Sequence, residues 1–298
     1  MVADIFKARS VKETGEIIVS HGRRTHHHTI DRLRQSLYAA SAVFLRFVLH
    51  FLMINDLNSE LREHVSLLDM EQLRDEFAAH DEFIKIDNFL PSSLVDEILT
   101  TLPKLDPLVH RNYIPRHKKG GSISRYDLDR TAPRIAELYS AEVLTEFLQA
   151  ICGRDLNFCP ANDPHTYALY YYTEPGDHIS YHYDTSYYQG ARYTVLIGLV
   201  TAPSCVLEYQ LHTRNPKREV ETRRVELDQG MLVLFNGDKL YHRITPLAED
   251  ERRISLTFEY LTNTKMHPLL RFVSNMKDSI SYFGFKQVFR RARDGSVD

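Results

Sequence analysis

The chain has 298 residues, 43% of them hydrophobic, which is enough for one large core and an appendage. Its formal net charge of −3 gives no overall basic field, so nucleic acid is not an expected partner. The three scattered cysteines (Cys152, Cys159 and Cys205) include no Cys-x-x-Cys pair, which argues against a disulfide framework or a structural zinc site and predicts reduced thiols in a cytoplasmic protein.

The first residues, Met1-Val2-Ala3-Asp4-Ile5-Phe6-Lys7, hold no apolar run behind a basic start, so no signal peptide is predicted. His26, His27 and His28 cannot all face one site on a helix or strand, and residues 1 to about 28 read as a solvated segment. Residues 29 to 80 read as helical. Their most apolar stretch, 38–54, is broken by Arg46 and His50, which share one helix face. That pattern fits a buried amphipathic helix or a homodimer interface rather than a membrane span, with peripheral contact to a membrane surface as the competing reading. The character of the chain changes near residue 81. This divides it into an N-terminal tail and helical segment, 1–80, and a second domain, 81–298.

Phe83 to Asp87 alternates as a strand, and Pro91-Ser92-Ser93 leads into a helix. His117 to Asp127 is basic and contains Gly120-Gly121, which predicts a loop. Such a loop could act as a lid, with Arg125 gripping an anionic group of a substrate. Residues 131–151 read as one or two helices packed outside a sheet. From 165 to 262 strands dominate, including 167–172, 192–200, 205–211 and 230–235. Residues 263–298 read as mostly helical with a basic end, Arg290-Arg291-Ala292-Arg293.

The densest chemistry lies at Tyr181-His182-Tyr183-Asp184. On a strand, His182 and Asp184 would emerge on one face, giving an imidazole and a carboxylate for a metal that takes mixed N and O donors. A distant histidine on a neighbouring strand would complete the set, and His242 is the best candidate; His165, His178, His212 and His267 compete on chemistry alone. Eleven residues after His242 comes Arg253-Ile254-Ser255, where period 2 puts Arg253 and Ser255 on one face of a strand. A guanidinium facing a barrel interior calls for an anion.

The order His-x-Asp, His, Arg-x-Ser resembles the Fe(II)/2-oxoglutarate-dependent dioxygenase superfamily. The text around it, Tyr167 to Tyr172 with Pro175-Gly176-Asp177, and Gly230 to Phe235 with Gly237, is similar as well. The resemblance covers roughly residues 82 to 262. It implies an α+β fold with a double-stranded β-helix (jelly-roll) core, packing helices and an N-terminal helical segment. It implies Fe(II) held by His182, Asp184 and His242, and 2-oxoglutarate held by Arg253 with Ser255 beside it and a phenol from Tyr170 or Tyr172. O2 would be the oxidant and ascorbate a candidate reductant. Halogenases of this superfamily have a small residue where Asp184 stands, so hydroxylation is predicted, with release of succinate and CO2. Arg125, Tyr187 and Tyr188 are the candidate substrate contacts, and Arg214 also suits a polar ligand. The expected substrate is a small polar, amino-acid-like molecule. The competing readings are a lipid or peptide substrate, and a catalytically idle barrel that serves as an interaction protein.

Overall fold

The computed structural model describes residues 57–160, 163 and 165–265. The apolar stretch 38–54, the histidines at 26–28, His267, the expected C-terminal helices and the basic tail lie outside the described residues, as do the dimer and membrane readings that rest on them. No helix among the described residues is long and apolar enough to cross a membrane.

Among the described residues, twelve antiparallel strands make one curled sheet. Its broad layer runs β1 (Phe83–Ile86), β10 (Leu232–Asn236), β7 (Arg192–Val200), β12 (Arg253–Leu261), β5 (Tyr167–Tyr172). The smaller layer runs β6 (His178–His182), β11 (Tyr241–Ile244), β8 (Leu207–Leu211), β9 (Glu221–Val225). Strand β3 (Lys118–Ser124) pairs with both β5 and β6 and joins the layers, while β2 (His110–Ile114) adds to β3 and β4 (Asn157–Phe158) to β12.

Alternation along the strands decides what fills each side. Leu232 and Leu234 of β10, Val195 and Ile197 of β7, and Ile254, Leu256, Phe258 and Tyr260 of β12 point outward into one apolar cluster. Helices α3 (Ser92–Leu105) and α6 (Glu142–Cys152) cover that face with Leu94, Ile98, Leu144, Phe147, Leu148 and Ile151. The opposite residues, Val233, Phe235, Leu196 and Tyr172, turn into the space between the layers and meet Ile179, Leu207, Tyr209 and Ile244. A strand covered on both sides cannot show polar alternation throughout, which is why β7 and β10 read as continuous apolar runs.

Residues 57–80, grouped by sequence with the N-terminal segment, fold within the compact unit that begins at Leu57. Leu57 and Leu61 of helical residues 57–65 (α1) and Phe77 of α2 (Met70–Ala79) join the outer cluster. Asp69 caps α2 by accepting the backbone N–H groups of Glu71 and Gln72.

The expected loop at 117–127 is instead strand β3 followed by helix α4 (Arg125–Thr131). Gly121 answers crowding rather than a turn, while Gly120 sits in ordinary contact. A Cβ on Gly121 would lie 2.5 Å from the Val109 side chain, and one on Gly120 would touch the Tyr172 ring.

The candidate metal and cosubstrate site

Strands β6 and β11 set His182 and His242 directly opposite each other, with ring centroids 4.4 Å apart. The pairing is irregular: His242 faces His182, yet Ile244, two residues on, faces Ile179, three residues back. The extra residue on β6 is a bulge, and it lets both Ile179 and His182 face the interior. Asp184 does not share the strand face expected for it, because β6 ends at His182. The carboxylate reaches the same place from the loop that follows. That loop lies against Gly237, where a Cβ would come within 2.7 Å of the Asp184 Cβ.

Donor atoms of His182, Asp184 and His242 lie within 4.8 Å of one another. Nε2 of His182 is 3.3 Å from Asp184 Oδ1, and Nε2 of His242 is 3.8 Å from Asp184 Oδ2. Adjacent ligands around an ion at about 2.1 Å stand roughly 3 Å apart, so a small contraction would seat one. Both rings are held from behind. Nδ1 of His182 donates to the Ser180 carbonyl at 2.8 Å, and Nδ1 of His242 to the Leu240 carbonyl at 3.1 Å. A carbonyl can only accept, so each Nε2 keeps its lone pair for the centre of the cluster.

The electrostatics agree. Burial, reinforced by His182, pushes the His242 imidazolium down to about 4, against the pull of Asp184. The ring is therefore neutral at neutral pH, as a metal ligand must be. Burial opposes ionisation of Asp184, but His242, His182 and Arg192 around it outweigh that effect and hold the carboxyl well below the usual carboxylate range.

The cavity in front of these groups is lined from both layers. Strand β12 contributes Arg253, Ser255, Thr257 and Glu259, all on its inward face. The predicted pairing of Arg253 and Ser255 is thus the start of a four-residue polar row. Arg253 is 2% exposed, and its Nη1 donates to Ser255 Oγ at 3.3 Å. Its Nε and Nη2 meet no hydrogen-bond partner among the described residues. The guanidinium lies 5.1 Å from the Tyr172 ring centre, and Tyr170 stands opposite Ser255 on β5; both tyrosines line the cavity.

At the other end of the row, Arg192 Nε donates to Glu259 Oε2 at 2.7 Å. Burial pushes the Glu259 carboxyl up, with Arg192 pulling against it. Tyr187 and Tyr188 line the cavity, and the Tyr188 hydroxyl donates to Asp163 Oδ2 at 2.7 Å. Asp163, His165 and His117 line the cavity too. Arg125 does not. It sits at the start of α4, donates to Thr166 Oγ1 at 3.1 Å and lies over the Tyr167 ring. A helix start replaces the flexible lid that would have carried it inward. His178 bonds the Gly176 carbonyl and His212 lies between Asp81 and Glu221, so neither joins the cluster. Arg192, Thr194, Thr257 and Glu259 were not singled out from sequence, although Thr257 and Glu259 follow from the same period that places Arg253 and Ser255.

Solved structures with this fold include the 2-oxoglutarate-dependent epimerase SnoN of nogalamycin biosynthesis. It is 14% identical, with a TM-score of 0.55 over 64% of this chain and 80% of that one. A prolyl hydroxylase from Trichoplax adhaerens is 16% identical, with a TM-score of 0.53 over 72% and 96%. AviO1 from Streptomyces viridochromogenes is 17% identical, with a TM-score of 0.52 over 67% and 98%. Comparison with curated proteins gives no match. The family model described as Halogenase D (HalD) matches residues 64–270. That match spans well over half of the sequence, so the chain belongs to the Halogenase D family, built on the double-stranded β-helix of the Fe(II)/2-oxoglutarate-dependent oxygenases.

Proposed function

We propose that the protein is an Fe(II)- and 2-oxoglutarate-dependent oxygenase that hydroxylates a small polar, amino-acid-like substrate. One observation carries the reading: two histidines and a carboxylate converge on one point, and a buried guanidinium with spare N–H groups opens into the same cavity. Two imidazoles and one carboxylate suit a ferrous ion that keeps open positions. A planar guanidinium beside a serine hydroxyl and two tyrosines suits the distal carboxylate of 2-oxoglutarate.

Bound together, ferrous iron, 2-oxoglutarate and O2 supply the oxidising power, one oxygen atom going to the substrate and the other to succinate as CO2 leaves. The protein's own part is placement. The Ser180 and Leu240 carbonyls fix the two imidazoles, and Arg253 with Ser255 would orient the cosubstrate from below. Apolar neighbours Ile179, Leu196, Phe235 and Ile244 keep water from the reacting atoms. Arg192, Glu259 and Asp163 line the cavity with charge of both signs, which supports a zwitterionic or similarly polar substrate.

The family's name raises halogenation as the other outcome. Asp184 supports hydroxylation, because its carboxylate stands where halogenases of the superfamily leave a position for halide. Anaerobic Fe(II) titration followed by succinate assay in air, with amino acids as substrates and chloride present, tests both points. Succinate with a hydroxylated product supports the proposal; a chlorinated product from the wild type would overturn the assignment of hydroxylation.

A further inference from the structure

Asp184 lies beyond the end of β6, so no strand ladder orients its carboxylate. A carboxylate left to rotate can bind an ion through one oxygen or through both. The second mode uses up a position that the cosubstrate or O2 needs. Something must therefore restrain it.

Thr194 of β7 is in place to do so. It is 2% exposed, and its hydroxyl is 3.0 Å from Asp184 Oδ2 and 3.1 Å from Glu259 Oε2. A hydroxyl has one proton to give, so only one of these oxygens can receive it. Glu259 Oε2 already accepts Arg192 Nε at 2.7 Å, and the register of β7 and β12 sets Thr194 opposite Glu259. An oxygen already served by Arg192 competes less well for the Thr194 proton, which favours the nearer acceptor, Asp184 Oδ2.

We propose that Thr194 is a positioning residue that ties up one oxygen of Asp184, so that the carboxylate offers a single oxygen to a metal, and that the Arg192–Glu259 pair aims the Thr194 hydroxyl. The inference rests on the metal-site reading above. It assigns a function to three residues that the ligand pattern does not include, and it makes a Thr-to-Asp hydrogen bond part of what keeps coordination positions open.

Co(II) is the probe, titrated anaerobically and followed by visible absorption, which reports affinity and coordination number together. Thr194→Val removes the hydroxyl at constant shape, and Thr194→Ala removes it with a cavity. Thr194→Ser restores it. Loss of a group that orients a metal ligand typically weakens metal binding about 10- to 100-fold, so the Val and Ala variants should weaken by that order and show an altered band shape. The Ser variant should follow the wild type in both. Thermal melts identify any variant that has not folded, and either hydroxyl-free variant suffices for the comparison. Wild-type affinity and band shape in a folded Val or Ala variant would overturn the role of Thr194. No Co(II) uptake by the wild type would instead bring down the metal-site reading, and this inference with it.

Discussion

Removing the charge of Arg253 should strengthen the ligand-free fold while destroying cosubstrate binding. The guanidinium is 2% exposed, and two of its three nitrogens meet no partner among the described residues. Each buried unsatisfied donor destabilises by about 1–3 kcal/mol. Stacking over Tyr172, which Arg253→Met would lose, contributes about 0.5–2 kcal/mol in the other direction. Taken together, Arg253→Met should stabilise the metal-free, cosubstrate-free protein by about 2 kcal/mol, raising its melting temperature by roughly 4–8 °C. Saturating 2-oxoglutarate with a redox-silent divalent ion should raise the wild-type melting temperature, by about 2.7 kcal/mol of stabilisation at 100 times the dissociation constant. The variant should not respond to it. Scanning calorimetry with and without ligand gives all four values. A variant that melts below the ligand-free wild type, or one that 2-oxoglutarate still stabilises, would refute a guanidinium held in readiness for an acid.

Asp184→Ala and His242→Ala should each lower iron-dependent succinate formation by more than about 100-fold, since each would remove a proposed ligand; retained activity in either would sink the proposed triad. Gly198→Ala would set a Cβ 2.0 Å from the Asp228 carbonyl oxygen and 2.6 Å from that of Leu227, both backbone. It should destabilise by about 3 kcal/mol or more, visible as a melting point lowered by roughly 6 °C or as insoluble protein. Lys118 is buried, and burial lowers its ammonium from 10.5 to about 7. Unfolding therefore takes up a proton between about pH 7 and 10.5, and stability rises with pH across that window. Lys118→Met should flatten that slope in urea melts run at several pH values; an unchanged slope would contradict the burial account.

The parts of the site that sequence could reach were those fixed by local period and by order. Arg253 and Ser255 share a face because β12 is regular, and Tyr170 and Tyr172 stand across from them because β5 is regular too. The convergence of His182 and Asp184 was expected for a reason the structure replaces. A bulge in β6 and a loop packed on Gly237 bring them together, and neither leaves a mark in residue spacing. Lys118 and the glycines after it read as a solvent-facing loop because basic and glycine-rich text usually is one. Here the lysine is buried beside the Tyr170 ring and Gly121 relieves packing against Val109. Thr194 gains its meaning from register with Glu259, and Arg192 from its hydrogen bond to the same carboxylate, long-range contacts that no window along the chain contains.

The irregular step in β6 carries a consequence for how this gene can change length. Deleting one residue between Ile179 and His182 would restore a regular ladder and swing one of the two side chains from the interior to the outside. The hairpin between β8 and β9 has exposed residues from Arg214 to Val220 and no such phase to keep. Among variants of this chain, insertions and deletions should gather in that hairpin and be missing from the five residues of β6, so a survey of tolerated length changes would map the fixed phase of the strand without any assay of chemistry.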